Sequence, residues 1–193
     1  METSLLKNVF IIDKRNNKQL LITHNEVVIL HSFIKNTTNN EVMIINSNIG
    51  LEVYYLSSLD YGNLIKNTFL LITSKKGKEI NQYQITTLNS TKDIKIFTEN
   101  LFLKLTTRPL SFTCYSKSLI SQINEQHTSK NTQIVTLLLS IWNQVVTAID
   151  LTKKTPYKFK EFKKALANFV IKNSNSLVLT QLIYKATNSI RSN

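Results

Sequence analysis

Residues Thr132–Ile149 read TQIVTLLLSIWNQVVTAI: eighteen residues without a charge. Ile134, Val135, Leu137, Leu138, Leu139, Ile141, Trp142, Val145, Val146, Ala148 and Ile149 leave almost no polar face. A helix that is apolar nearly all round is either buried or membrane-spanning. The stretch reaches the length of a bilayer crossing. However, Asn143 and Gln144 sit side by side near its middle, with Ser140, Thr136 and Thr147 around them, and these polar groups select the buried helix. The last third of the chain is therefore expected to wrap around this segment.

Around that helix the pattern divides the chain in two. After Arg108-Pro109 the apolar residues recur at helical spacing. Ser116–Gln126 reads as a short helix, with Leu119, Ile120 and Ile123 on one face. Thr155-Pro156 is a good helix start, with Thr as N-cap and Pro in the first turn. From there Phe159, Phe162, Leu166, Phe169 and Val170 form an apolar stripe, and a last helix runs from Leu177 to about Ile190. Before Arg108 the sequence reads as hairpins. Asn8–Asp13 pairs with Gln19–Thr23, Glu41–Asn46 with Leu51–Leu56, Leu64–Thr73 with Glu79–Leu88, and Asp93–Phe97 with Leu101–Thr107. Asn25–Ile34 fits helix or strand, and the spacing of Val27, Leu30 and Ile34 favours helix; Asn36–Asn40 reads as a loop. The expectation is an α+β fold: N-terminal antiparallel β-hairpins, then a C-terminal bundle of about four helices around the buried one. It divides into a β-rich subdomain, 1–108, and a basic all-α subdomain, 109–193, in one compact unit.

With 193 residues and 42% hydrophobic side chains, the chain can bury a real core. Three glycines and two prolines leave turns to Asn, Asp, Ser and Lys, and 22 asparagines are present for that purpose. Asn, Ile and Lys share A/T-rich codons, so codon bias alone accounts for part of the composition. The net charge is +12 and uneven. Residues 1–100 carry eleven Lys/Arg against nine Asp/Glu; residues 101–193 carry thirteen against three. An asymmetry of that size points to a polyanionic partner for the second half. One cysteine, Cys114, permits no internal disulfide and fits a reducing compartment. The N-terminus, METSLLKNVFIIDKR, lacks a basic region before its short apolar run and does not read as a secretory signal. These features lead to the expectation of an intracellular, cytoplasmic protein without a membrane span.

Catalytic constellations are scarce. His24 and His31 are seven apart, with Glu26 nearby, but ordinary surface histidines account for them better than a metal site. Cys114 has no flanking signature and reads as a packed small residue rather than a nucleophile. The carboxylates do not pair at acid–base spacing. No Gly-rich phosphate loop or dinucleotide fingerprint occurs. The chain is therefore expected to be no enzyme and to use no metal or cofactor.

Binding remains. Residues 153–164, KKTPYKFKEFKK, hold six lysines and one glutamate. Lys153, Lys154, Lys158, Lys160, Lys163 and Lys164 can neutralise phosphates without reading sequence. Tyr157 at the helix start can stack on a base. Phe159 and Phe162 lie on the apolar stripe and belong to the core. Lysine rather than arginine favours loose phosphate contact. The function expected is non-enzymatic, largely sequence-independent RNA binding. The alternative is a structural or interaction protein, matrix-like or host-factor-binding, that lays its basic face on an anionic membrane or another protein. In composition the chain looks like the small accessory proteins of RNA viruses, including some suppressors of RNA silencing. No residue motif carries that likeness.

Overall fold

A computed structural model describes residues 5–15, 19–74, 80–127, 132–152 and 157–169. Four strands, β1 (Leu5–Asp13), β2 (Val42–Asn46), β3 (Leu51–Ser57) and β4 (Tyr83–Leu88), form one sheet in the order β2-β3-β1-β4. Every neighbouring pair is antiparallel, with Val9 opposite Val53 and Thr87, and Ile44 opposite Val53. Helix α1 (His24–Thr38) joins β1 to β2, and α2 (Gly62–Ser74) joins β3 to β4. Each helix thus connects two parallel strands separated by a third, which is the split β-α-β connectivity. The helices α3 (Thr91–Thr106), α4 (Pro109–His127) and α5 (Thr132–Thr152) follow, then α6 over residues 157–169. The α+β class and the antiparallel N-terminal sheet agree with the sequence reading.

The sheet is covered on both faces. Val9, Ile11, Val42, Ile44, Val53 and Tyr55 meet Leu30 and Ile34 of α1 and Ile65 and Phe69 of α2. On the reverse, Leu6, Met43, Ile45, Tyr54 and Leu56 meet side chains of α3, α4, α5 and α6. β3 is buried along its whole length. Its sequence LEVYYLS accordingly lacks the alternation of a half-wet strand.

Several sequence expectations are corrected. Residues 19–23 are not a strand. Leu21 and Ile22 are buried, but β1 pairs with β3 and β4 instead. Thr23 is the N-cap of α1 in a capping box: its N–H donates to Glu26 Oε2 (2.7 Å) and Glu26 N–H donates back to Thr23 Oγ1 (3.4 Å). The ambiguous 25–34 segment is helix and runs on through part of the expected loop, to Asn39 in the left-handed region. Leu64–Thr73 is helix. Gly62, Ile65, Phe69 and Thr73 face inward at spacings of three and four, and Asp60 Oδ1 accepts from the Gly62 N–H (2.7 Å). The expected hairpin 93–107 is also helix. Ser90 caps it by accepting from the Asp93 N–H (3.1 Å), and Ile94, Thr98, Phe102 and Leu105 are its buried face. The hairpin between β2 and β3 forms as expected, closed by Ser47 N–H to the Gly50 carbonyl (2.9 Å) and the reverse bond (3.2 Å).

α5 is buried, as its sequence implies, but it is a covering helix rather than a central axis. Ile134, Val135, Leu138, Leu139, Trp142, Val145, Val146 and Ile149 face inward, and Gln133, Ser140 and Gln144 reach solvent. Residues Gln133–Asp150 are long and apolar enough to cross a membrane by length and composition, and half of that stretch is buried inside the protein. Glu41, just before β2, holds the helix start: its Oε2 accepts from the Ile134 N–H (2.9 Å), one of the free amides of the first turn. Gln122 of α4 ties down the end of edge strand β2, accepting from Asn46 N–H (3.1 Å) and donating to its carbonyl (3.3 Å). The expected helix 177–190 lies outside the described residues.

Candidate nucleic-acid interface

α6 is set by its aromatic stripe. Phe159, Phe162 and Leu166, at i, i+3 and i+7, are buried. Phe159 packs on Phe112 (ring centroids 5.4 Å), and Phe162 meets Phe112 (5.5 Å) and Phe102 (5.8 Å). This four-ring knot brings the start of α6 to the corner between α3 and α4. Phe159 and Phe162 are core, as the sequence suggests, and the remaining faces of the helix are left to the lysines.

Those lysines are not equivalent. Lys158 Nζ sits 2.7 Å from Glu161 Oε2, and Lys163 Nζ lies 2.7 Å from Asp150 Oδ2 of α5. The hydrogen bond to Glu161 raises the Lys158 pKa and lowers that of Glu161. Both lysines already have a counter-charge. Lys160 and Lys164 are exposed and form no ion pair among the described residues. Tyr157 is 72% exposed, with Lys158 Nζ 5.7 Å from its ring centroid. Lys153 and Lys154 lie outside the described residues. The knot also joins α6 to two helices whose neighbouring ends carry cations that the sequence reading passed over. Lys104, in the last turn of α3, and Arg108, just before α4, are both exposed. Arg108-Pro109 reads in sequence as a boundary; the Phe-rich spacing of residues 102, 112, 159 and 162 is the signal that would have joined it to the lysine segment.

Four-stranded sheets of split β-α-β connectivity can present an aromatic platform to unpaired bases. Here that platform is closed. Tyr54, at the centre of the sheet, lies beneath α5 with its ring edge-on to Trp142 (6.3 Å). Phe10 of β1, opposite Glu52 and on the same face, packs on Phe97 of α3 (4.9 Å). The sheet therefore offers no open aromatic surface on this side, and only the outer helix faces are accessible there.

One acid is fully enclosed. Glu52 on β3 is 2% exposed. Its Oε2 accepts from the Tyr54 hydroxyl (2.5 Å) and its Oε1 from the Tyr115 hydroxyl of α4 (3.0 Å). Burial pushes its pKa up to about 7, and the two hydroxyl donors limit the rise. Burial and the neighbouring Glu52 raise both tyrosines well above their ordinary value. Buried and with both carboxyl oxygens engaged, this cluster holds α4 to the sheet.

The remaining residues weighed for chemistry lie apart. Cys114 is exposed on α4 rather than packed, because positions 112, 115 and 119 take the inward face. The sheet separates it from His24 and His31 on α1, and His127 stands thirteen residues further along α4, roughly 20 Å away by helical rise. His31 Nε2 is 3.0 Å from the Val42 carbonyl, and burial lowers its pKa. Among the described residues no three of His, Cys, Asp and Glu come together to hold a metal. No protein-family model matches the chain, and no curated protein matches it significantly.

Proposed function

We propose that this is a non-enzymatic protein that binds RNA through phosphate contacts, with little sequence preference. The observation that carries the reading is the corner where α6 meets α3 and α4: Lys160, Lys164, Lys104 and Arg108 are exposed and free of ion pairs among the described residues, beside the exposed ring of Tyr157. The counter-charges of Lys158 and Lys163 make them weaker contributors. Lys153 and Lys154 continue the segment in sequence. A polyphosphate chain gains by releasing condensed cations at each such contact, whatever its bases.

The alternative, a matrix-like or host-factor-binding protein that lays its basic face on an anionic membrane, requires cations and apolar side chains on one surface. The exposed apolar cluster Val28, Ile29 and Phe33 is on α1, across the sheet from the lysines. On the lysine side Leu110 of α4 and Ile96 of α3 are also exposed, but on separate helices, and the RNA reading rests on the cations and Tyr157 rather than on a lack of apolar surface. At a finer level the proposal is a cytoplasmic protein of RNA-virus type that sequesters RNA in a host cell, as a silencing suppressor does; composition is its support. Fluorescence anisotropy with unrelated RNA and DNA oligonucleotides of equal length, over a salt series, tests the core of it. Binding of RNA of any sequence, weakening steeply with salt, is expected. No binding to RNA at low salt, together with sedimentation on anionic vesicles, would replace the proposal by the alternative.

A further inference from the structure

Glu161 is the one acid of the lysine-rich segment 153–164. On α6 the residues Tyr157, Lys160, Glu161, Lys164 and Asn168 are all exposed and recur at helical spacing. They form one outer stripe, opposite the buried Phe159, Phe162 and Leu166. Tyr157 stands at its start, 72% exposed. Lys158 Nζ lies over one face of the ring, 5.7 Å from the centroid, and is itself held 2.7 Å from Glu161 Oε2. Glu161 is one turn from Tyr157, and the tyrosine hydroxyl, after the Lys158 bond, helps to lower the pKa of the carboxyl. Ring, ammonium and carboxylate thus form one local assembly, which leaves the second face of the ring open.

Building on the RNA reading, we propose that the RNA this surface takes is single-stranded, that one of its bases stacks on the open face of Tyr157, and that Glu161 is a positioning residue that holds the ring for it. In a duplex each base face is already covered by its neighbours, so an exposed ring adds nothing to phosphate contact. An unpaired base has a face to offer, and stacking tolerates any base. The other rings are placed differently. Phe33 is exposed on α1, where Lys35 is the only lysine or arginine, and Tyr54 and Phe10 are covered by helices. Among the described residues Tyr157 alone combines an open ring face with free cations on its own stripe. Lys160 and Lys164 follow it by about 4.5 and 10.5 Å of helical rise. A strand laid along α6 can give a base to the ring and successive phosphates to the two lysines. An acid on this stripe repels phosphate, so by charge alone Glu161 weakens the contact. Holding Lys158 over the ring gives that acid a role.

Fluorescence anisotropy of the full chain with an unstructured RNA of about 16 nucleotides, alone and annealed to its complement, is the experiment. Phosphate contact by itself binds the denser charge of a duplex at least as tightly as a single strand. The expected result is the reverse, with the single strand bound about fivefold tighter or more. Tyr157→Ala should lose about fivefold or more on the single strand, the lower end of what one stacked base contributes, and stay within about twofold on the duplex. Tyr157→Trp keeps a ring and should retain single-strand binding. Glu161→Ala separates position from charge. Deleting an acid and freeing Lys158 should tighten the duplex, yet loss of the held ring should weaken the single strand. Lys35→Gln, on α1 across the sheet, should change neither. A duplex bound by the wild type as tightly as the single strand, or an equal loss on both forms in Tyr157→Ala, would overturn the stacking and leave phosphate binding in place. Tightening of both forms in Glu161→Ala would overturn its positioning role. Failure of the wild type to bind either form would remove the RNA reading, and the stacked base with it.

Discussion

Glu52 shows how a single residue can set a property of the whole molecule. A carboxyl at 2% exposure is favoured in its neutral form, and its folded-state pKa stands at about 7 against an ordinary 4.5. The sign follows from which state holds the proton. Between those values the folded chain keeps it and the unfolded chain has lost it, so unfolding releases a proton and stability falls as pH rises. The contribution is complete below about pH 4.5 and gone above about 7. A shift of that size corresponds to roughly 3 kcal/mol across the window. Glu52→Gln removes the proton while retaining an oxygen that can accept from one tyrosine. Urea unfolding at pH 5 and pH 8 should therefore show the variant losing less stability than wild type over this interval. Identical pH slopes would mean that the carboxyl is ionised in both states. In sequence this residue is a lone glutamate in LEVYYLS. Nothing in the chain before Tyr115, sixty-three residues later, signals that a second hydroxyl meets it.

At the scale of elements, those with one dominant signal were legible and those with two were not. The β2–β3 hairpin and the apolar helix α5 follow from pattern alone; Asn25–Ile34 fits helix or strand in sequence and is helix in the fold. Neither α2 nor α3 follows from pattern alone. NLIKNTFLLIT is rich in β-branched and aromatic residues, which favour strand, yet Ile65 and Phe69 also lie one helical turn apart. In α3 the alternation of Leu101, Leu103 and Leu105 imitates a strand, while Ile94, Thr98, Phe102 and Leu105 mark the face that is buried. Propensity is a weak prior where tertiary packing decides. The sheet already has four strands with both faces to cover, and helices α2 and α3 supply part of that cover. The hairpin turn shows the same dependence on long-range contact. Gly50 is the residue at which the turn crosses β1: a Cβ there would run into the Ile11 carbonyl and come within 2.9 Å of Ile12 Cγ2. Gly50→Ala forces backbone rather than a flexible side chain to move. It should cost about 1–3 kcal/mol of stability, the range for overpacking a well-filled site, measured as a lower urea midpoint. An unchanged midpoint would show that β1 and the turn separate freely.

At the scale of the molecule, what matters is that the exposed cations of α3, α4 and α6 lie across the sheet from the α1 cluster Val28, Ile29 and Phe33, with Leu110 and Ile96 exposed on the cationic side as well. The lysine-rich segment was legible in sequence; which of its lysines remain free was not, because Asp150 meets Lys163 only through the packing of α6 on α5. That distinction makes the binding proposal quantitative. Each free lysine that meets a phosphate contributes about 0.7 to 0.9 to the slope of log affinity against log salt, the lower figure for single strands. Changing Lys160 and Lys164 together to Gln should flatten the slope by roughly 1.4 to 1.8 and weaken binding to all sequences alike. Lys158→Gln with Lys163→Gln should flatten it less, since Glu161 and Asp150 already neutralise those two in the free protein. The melting temperature should barely move in the first pair, because isolated exposed charges contribute little stability. Tyr157→Ala should cost about 1–3 kcal/mol on single strands if a base stacks there, and much less on duplex. The decisive comparison is between the two lysine pairs in one anisotropy salt series. If removing Lys160 and Lys164 leaves affinity and slope at their wild-type values, the corner of α3, α4 and α6 is a solvated face and the phosphate-binding surface lies elsewhere. If both pairs flatten the slope equally, the ion pairs at Lys158 and Lys163 open on binding and all four lysines meet phosphate.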